Sequence, residues 1–562
     1  MNLNYPFHAL IFVVGLTLCT PLLAQVSTSE VPASEINEII LAELNPSPKL
    51  TSESTSLLGD QLDLQTGNLG FEHVDVSIPG NFAIPVEIRR VYRNRSENWQ
   101  LDYEFGSWSL EVPRIETTVV SSGGSTSGSW AKGNACSGGL RPDDFVAFQS
   151  FVKAQRFWHG DTLVIPGKVN SKLLSNYGNQ FDKTTYPKVT NSFWRVSCFT
   201  RLDGESEGFK VQGPDGLTYY MDVSDYISLE PLEVGEVGKS ISRRKLLMKA
   251  SRVEDRFGNW VEYHYENGKL TSIESSESQK RLIHIDYTEK NGKRVVSSIT
   301  ANNRTWEYHY RDAYDGNDLS AVVLPSGARW EFNFTELLNP QIVGEFVHRC
   351  RWGSTDLAPK VGTLKHPFGA VGEFTVTPIM HGISYVEPTF TGGTTDTLCY
   401  ANYGLIRKGL TVPSSQSNST EQIDYYEWNY RYSENKGFLS TDPTPPAEAS
   451  ISIELPAQLD AFDLEFTEVT VPDGNKKRYI NFRGYDSFKQ GKLALIQWID
   501  SGTDAVTAEL EKTYLKGEEI GSTESMIKLD LSDRVNTLVS SEKNRRWVLP
   551  RYHGRFKTAL NS

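Results

Sequence analysis

Asp255–Phe334 reads DRFGNWVEYHYENGKLTSIESSESQKRLIHIDYTEKNGKRVVSSITANNRTWEYHYRDAYDGNDLSAVVLPSGARWEFNF. Broken at its turns, the stretch falls into three and a half similar lines. Each has a turn, a strand closing on a pair of same-face apolar or aromatic residues, a second turn, and a return strand with Leu, Val or Ile. The second member of the pair falls at Tyr265, Tyr287, Tyr310 and Phe334, at intervals of 22, 23 and 24. Self-similarity at a nearly fixed period is the signature of a repeat architecture. A lone hairpin is at best marginally stable in water, so the units are expected to stack edge to edge into one long twisted sheet.

The opening phrase of the repeat recurs within this block and on both sides of it. It stands at Gly213-Pro214-Asp215-Gly216, Pro325-Ser326-Gly327, Pro367-Phe368-Gly369 and Pro472-Asp473-Gly474. Pro presets φ and Gly accepts a positive φ, so each phrase predicts a β-turn. Upstream, His73–Ile78 and Val86–Tyr92 alternate apolar with polar residues, the period of a half-buried strand. The fold class expected is all-β: tandem hairpins in a spiralling sheet or partial shell, with a β-rich N-terminal region. The sections expected are 1–24, an export signal; 25–59, a flexible linker; 60–205, β-rich; 206–432, the repeat sheet; 433–450, a Pro-rich linker; and 451–562, β-rich with an irregular tail. Ser121–Ser129 (SSGGSTSGS) reads as a flexible loop.

The chain has 562 residues and a formal net charge of −13, with 12 Trp, 25 Tyr and 26 Phe. These aromatics supply ample core material, and the negative charge with no basic run argues against nucleic acid as partner. Ala9–Ala24 is apolar, ends on a small residue and is followed by polar sequence, which fits a signal peptide cleaved after Ala24; an uncleaved anchor is the competing reading. Four cysteines then remain: Cys136, Cys198, Cys350 and Cys399. In an exported chain they suggest two disulfides; the economical pairing is Cys136–Cys198 and Cys350–Cys399. Zinc-ligand spacing is absent around them, and no cofactor or metal is expected.

On the repeat strands Glu262, His284, Glu307 and Glu331 share a face, with His264, Asp286, His309 and Asn333 next to them. In-register stacking would align these as two polar columns. They then form either a strip for a divalent cation or a sugar, or simply the solvated side of a one-sided sheet. Trp194, Trp306, Trp330 and Tyr425-Tyr426…Trp428 suggest either a sugar-stacking platform or sheet core. The acids Asp215, Glu205, Glu207 and Glu511 show no spacing of a general acid and base, and Glu511 reads as a surface residue. The motifs of nucleophile-elbow hydrolases, zinc proteases and phosphate-binding loops are missing, so an enzyme is not expected.

These phrases resemble the RHS (YD-repeat) family of bacterial secreted proteins. The likeness starts at Leu64-Gln65-Thr66-Gly67-Asn68-Leu69 and Val74–Gly80, and continues through Phe105–Leu110 and Pro113-Arg114-Ile115. Asp255–Asn259 with Tyr263, Tyr265 and Gly268-Lys269-Leu270 reads as a repeat unit. His366–Gly372, Cys399 and Trp428-Asn429-Tyr430 resemble members labelled wall-associated proteins. The resemblance implies a sheet winding into a hollow shell, which in full-length members encloses a C-terminal toxin released by self-cleavage at a core motif. This sequence has no copy of that motif with its paired Asp-Pro steps; Arg551–Phe556 matches only its opening, and Asp442-Pro443 lies in the Pro-rich linker. The expectation is therefore an exported, non-catalytic scaffold of the bacterial periplasm, cell surface or exterior. Its partners would be surface glycans, a partner protein or a packaged cargo. A toxin remnant without its toxin and a carbohydrate-active enzyme are the alternatives.

Overall fold

The computed structural model describes residues 58–93, 103–130, 134–139, 142–176 (apart from 149, 153, 155 and 156), 181–201, 206–233, 239–313, 316–338, 358–382, 399–413, 423–433, 459, 464–482, 489, 491–515 and 538–546. These residues are nearly all β. A meander of antiparallel neighbours runs in chain order from Arg195–Thr200 to Leu538–Arg546, in a sheet that joins 26 strands. Pairing passes unbroken across residue 205, where Arg195–Thr200 meets Glu207–Gln212, and across 433–450, where Asn429–Tyr432 meets Thr467–Thr470.

Two turn types recur among the hairpins. Gly216, Gly258, Gly327, Gly369 and Gly474 each sit at a φ between +79° and +89°. Each donates its amide to the carbonyl three residues back, at 2.8–3.2 Å. In all five the residue that gives this carbonyl also donates to the carbonyl four residues on, which closes the hairpin. The recurrent Pro–X–Gly phrase and its Asp-Arg-Phe-Gly variant therefore fold alike. Asn267-Gly268, Asn291-Gly292 and Asn302-Asn303 have both residues at positive φ, the two-residue turn whose twist matches a hairpin.

Each repeat also carries a bulge. The register slips between His264 and Tyr265, Asp286 and Tyr287, and His309 and Tyr310, which leaves Thr271, Ser297 and Ser320 unpaired on the return strands. The tyrosines exploit these slips. Tyr265, Tyr287, Tyr310 and Tyr432 donate their hydroxyls to the carbonyls of Ala250, Leu270, Val296 and Leu405, at 3.0, 2.7, 2.6 and 2.5 Å. In every case the acceptor is the residue before a bulged one on the preceding strand: Ser251, Thr271, Ser297 or Ile406. The rings pack half-buried against the common core. At Phe334 a stacked Phe71 ring, 4.8 Å away, takes the place of such a hydroxyl bond.

A second, four-stranded sheet is built from Asp60–Leu62, Leu69–Ser77, Glu87–Arg93 and Ser109–Glu111. It packs on the long sheet over an unusual span. Glu104 approaches Lys249, Asp75 meets Tyr308, Ser107 meets Asp318, Phe71 meets Phe334 and Phe374, Asp60 meets Lys408, and the Leu64 carbonyl meets Thr467. From the strand of Lys249 to that of Thr467 is twelve steps along the meander. Laid flat at about 4.8 Å per step, this would be roughly 58 Å, several times the width of four strands. The long sheet must therefore curl around the small one, which fills its concave side.

Charges pin this contact. Arg90 is wholly buried, paired with Asp75 at 2.7 Å, its guanidinium between the rings of Trp108 and Phe332 at 4.4 and 4.7 Å. Lys408, equally buried, holds both Asp60 oxygens at 2.8 and 2.7 Å.

Three expectations change. Ser121–Ser129 is a hairpin: Ser121-Ser122 and Ser125-Thr126 pair around Gly123-Gly124, both at positive φ, and the buried Ser129 hydroxyl donates to Asp161 at 2.7 Å. Two glycines in tandem here permit the tight turn that a loop reading overlooks. Glu511 is 3% exposed, directly opposite Leu495 on a face where Leu495, Ile480 and Phe466 form a buried apolar cluster. At the end of the expected linker, Leu58 is fully buried and the Gly59 carbonyl accepts from Glu72. The export segment, residues 434–450 of the Pro-rich linker and Arg551–Phe556 lie outside the described residues.

Candidate functional site

The expected polar columns come apart once the register is known. His264 pairs with Ser272, which pairs with His284; Asp286 pairs with Ser298, which pairs with Glu307; His309 pairs with Ala321, which pairs with Glu331. Return strands stand between the expected neighbours, about 10 Å apart, and each repeat is offset by two residues from the last. Every His instead finds a carboxylate nearer home: His264 with Glu274 at 3.4 Å, His284 with Asp286 at 3.2 Å, and His309 with Glu307 at 3.8 Å. His264, His284, Asp286, Glu307 and His309 are exposed.

Among the described residues one metal-compatible cluster survives. Glu262 lies directly opposite Glu274, with His264 beside them, and one ligand atom from each falls within 4.8 Å of the others. Both carboxylates are already engaged, Glu262 by Arg252 at 2.8 Å and Glu274 by Lys280 at 2.9 Å. The bond from Lys280 is the main reason that the Glu274 carboxyl titrates below its usual range.

The aromatic platform divides. Trp194, Trp306 and Trp428 are core, and Trp330 packs edge-on against His73 and His366 at 4.5 and 4.4 Å. Tyr425 and Tyr426 are exposed. Asp215 pairs with Lys168 at 2.5 Å, while Glu207 accepts from Cys136, Ser137 and the Ser137 hydroxyl; the two are not brought together as an acid–base pair. Glu205 lies outside the described residues. The Cys136–Cys198 disulfide is formed and closes a separation of 62 residues. Cys350 and the Cys399 side chain lie outside what is described.

A different place on the wall has the form of a binding site. A cavity of about 530 Å³ opens on the inner face, between the edge of the small sheet and the start of the meander. That is within the range of small-molecule sites, roughly 300–1,000 Å³. Alternation puts Arg114 and Glu116 of one strand, Asp225 of a second and Lys245 and Lys249 of a third on this face. Arg93, Tyr103, Glu104 and Glu111 close it from the small sheet's side, and Lys269 from the next hairpin.

These charges form two alternating chains. Arg93 meets Glu111 at 3.4 Å, Glu111 meets Arg114 at 2.7 Å, Arg114 meets Glu116 at 2.9 Å and Glu116 meets Lys245 at 3.6 Å. In the other chain Lys269 meets Glu104 at 3.7 Å, Glu104 meets Lys249 at 3.9 Å and Lys249 meets Asp225 at 2.6 Å. Burial would raise the Glu104 and Glu111 carboxyls, but the facing lysines and arginines outweigh it and hold both below their ordinary range. Glu116 is pushed in the same direction, burial again being overcome, here by Lys245 and Arg114. Carboxylates kept ionised can accept hydrogen bonds but cannot serve as general acids near neutrality.

Little in the sequence points to this cavity. Its residues come from segments far apart in the chain, and each looks like an ordinary surface charge on an alternating strand. No protein-family model matches the chain, and no curated protein matches it.

Proposed function

We propose that the protein is an exported, non-catalytic binding scaffold of the RHS type, whose partners are cell-surface glycans or proteins. The observation that carries this reading is the continuous wall of repeated hairpins, curled around its own N-terminal sheet. Over the repeats, the face turned away from that sheet carries the exposed His264, His284, Asp286, Glu307 and His309. Its concave side over these strands is packed with the chain's own Phe71, Tyr92 and Trp108, which favours binding by the wall over packaging of a cargo in that section. The cavity supports binding without turnover, since three of its four carboxylates are held in the ionised form. Two measurements test the proposal. Fractionation of bacteria producing the full chain should find it outside the cytoplasm, and incubation with a panel of polysaccharides should release no reducing ends. Cytoplasmic retention or sustained hydrolysis would contradict it.

A further inference from the structure

We infer that the inner-face cavity is a binding site for a neutral, polyhydroxylated ligand, a short oligosaccharide. This rests on the binding-scaffold reading and assigns it a place. Five cations (Arg93, Arg114, Lys245, Lys249 and Lys269) and four carboxylates (Glu104, Glu111, Glu116 and Asp225) line the cavity. Each cation lies within 3.9 Å of a carboxylate. A ligand carrying net charge of either sign would meet attraction and repulsion side by side. Adjacent hydroxyls on a sugar ring can use both, each accepting from a cation and donating to a carboxylate; such charge-assisted bonds are the stronger ones.

The groups are preorganised. The Lys249 ammonium is held by Asp225 at 2.6 Å and the Gly268 carbonyl at 3.0 Å, and the Arg114 guanidinium bridges two carboxylates. Little ordering is left for the ligand to impose, which favours affinity. Tyr103, half-buried at the cavity wall, offers an aromatic surface of the kind that sugar rings pack on. The Arg93 side chain is 45% exposed, and on its removal the buried Glu111 keeps Arg114 at 2.7 Å.

The test is calorimetric titration of the full chain with cellotetraose, tetra-N-acetylchitotetraose and tetragalacturonate. Either neutral tetrasaccharide should bind, the acidic one at least tenfold more weakly. Arg93→Ala and Tyr103→Ala should each weaken binding tenfold or more, with circular dichroism and melting unchanged, and the exposed Glu289→Gln should bind as the parent does. Neutral binding that survives both variants would move the site elsewhere and overturn this inference while leaving the scaffold reading intact. Preference for tetragalacturonate would overturn the ligand class. No binding of any probe would reduce the charge chains to a structural network, overturning the inference, while export and lack of turnover would still bear on the scaffold reading separately.

Discussion

Tyr287 donates its phenolic hydrogen to the Leu270 carbonyl across 2.7 Å, and Leu270 is the residue before Thr271, which the bulge of the preceding hairpin leaves unpaired. One hairpin thus uses the irregularity of the one before it. Tyr287→Phe keeps the ring and loses the bond, and is expected to cost about 1 kcal/mol. Tyr265→Ala and Phe334→Ala, which remove a packed ring, are expected to cost roughly 3–5 kcal/mol. Urea unfolding of the three variants checks both figures; a Phe substitution as costly as Ala would mean that the hydroxyl, and not the ring, sets the repeat.

The buried Asp60–Lys408 pair joins the small sheet to the long one. Desolvation lowers the Lys408 pKa, and Asp60 works against this by favouring the charged form. Asp60→Asn or Lys408→Met alone leaves a buried partner uncompensated, with an expected loss of roughly 3–5 kcal/mol. The double variant Asp60→Leu/Lys408→Met should recover most of that loss. A double-mutant cycle in thermal melts reads the coupling; additive losses would mean that the pair is not energetically linked.

Asp318 is fully buried and its carboxyl is pushed up to about 6, chiefly by burial, with bonds from Ser107 and Thr335 and the nearby Arg311 acting in opposition. Because the folded value lies above the unfolded one near 3.8, the folded state takes up a proton. The resulting stabilisation is full below about pH 3.8 and is lost as pH rises through 6. A shift of about two units corresponds to about 3 kcal/mol. The difference in unfolding free energy between the parent and Asp318→Asn should therefore move in favour of Asn between pH 4.5 and 7.5. A difference independent of pH would refute the assignment.

Cys136 and Cys198 are bonded, and the closed segment should contribute on the order of 4 kcal/mol in the chain-entropy account. Cys136→Ser/Cys198→Ser should lower the melting temperature, and digestion without reductant should release the two peptides joined. Recovery of both as free thiols would remove the claim.

Much of the wall could be read from the sequence, and the reasons are local. Tyr265, Tyr287, Tyr310 and Phe334 recur at a drifting but narrow period, and Asn-Gly and Pro-X-Gly phrases fix turns by φ alone. The bulges were hidden because Thr271, Ser297 and Ser320 are unremarkable strand residues whose lack of a partner is a property of pairing. That same slip, with the return strands between, scattered the expected His and Glu columns. The burial of Arg90, Asp75, Asp60 and Lys408 is not legible either, since nothing within a strand tells whether a second sheet lies above it, and Glu511 read as a surface acid because the apolar cluster around Leu495 is assembled only by pairing. The cavity followed from this: it exists only where the small sheet's edge meets the start of the meander.

The long sheet curls back over the N-terminal sheet. Gln65 and Glu465 are 400 residues apart, yet the Gln65 amide reaches the Glu465 carboxylate at 3.5 Å. Gln65→Cys/Glu465→Cys, treated with a short bifunctional thiol reagent and mapped by mass spectrometry, tests this contact in the folded chain. An intramolecular link between the two peptides, absent when Glu465→Cys is replaced by Asn303→Cys, is the predicted result. Equal yields from both pairs, or no link although each thiol reacts with a monofunctional reagent, would contradict the curled wall.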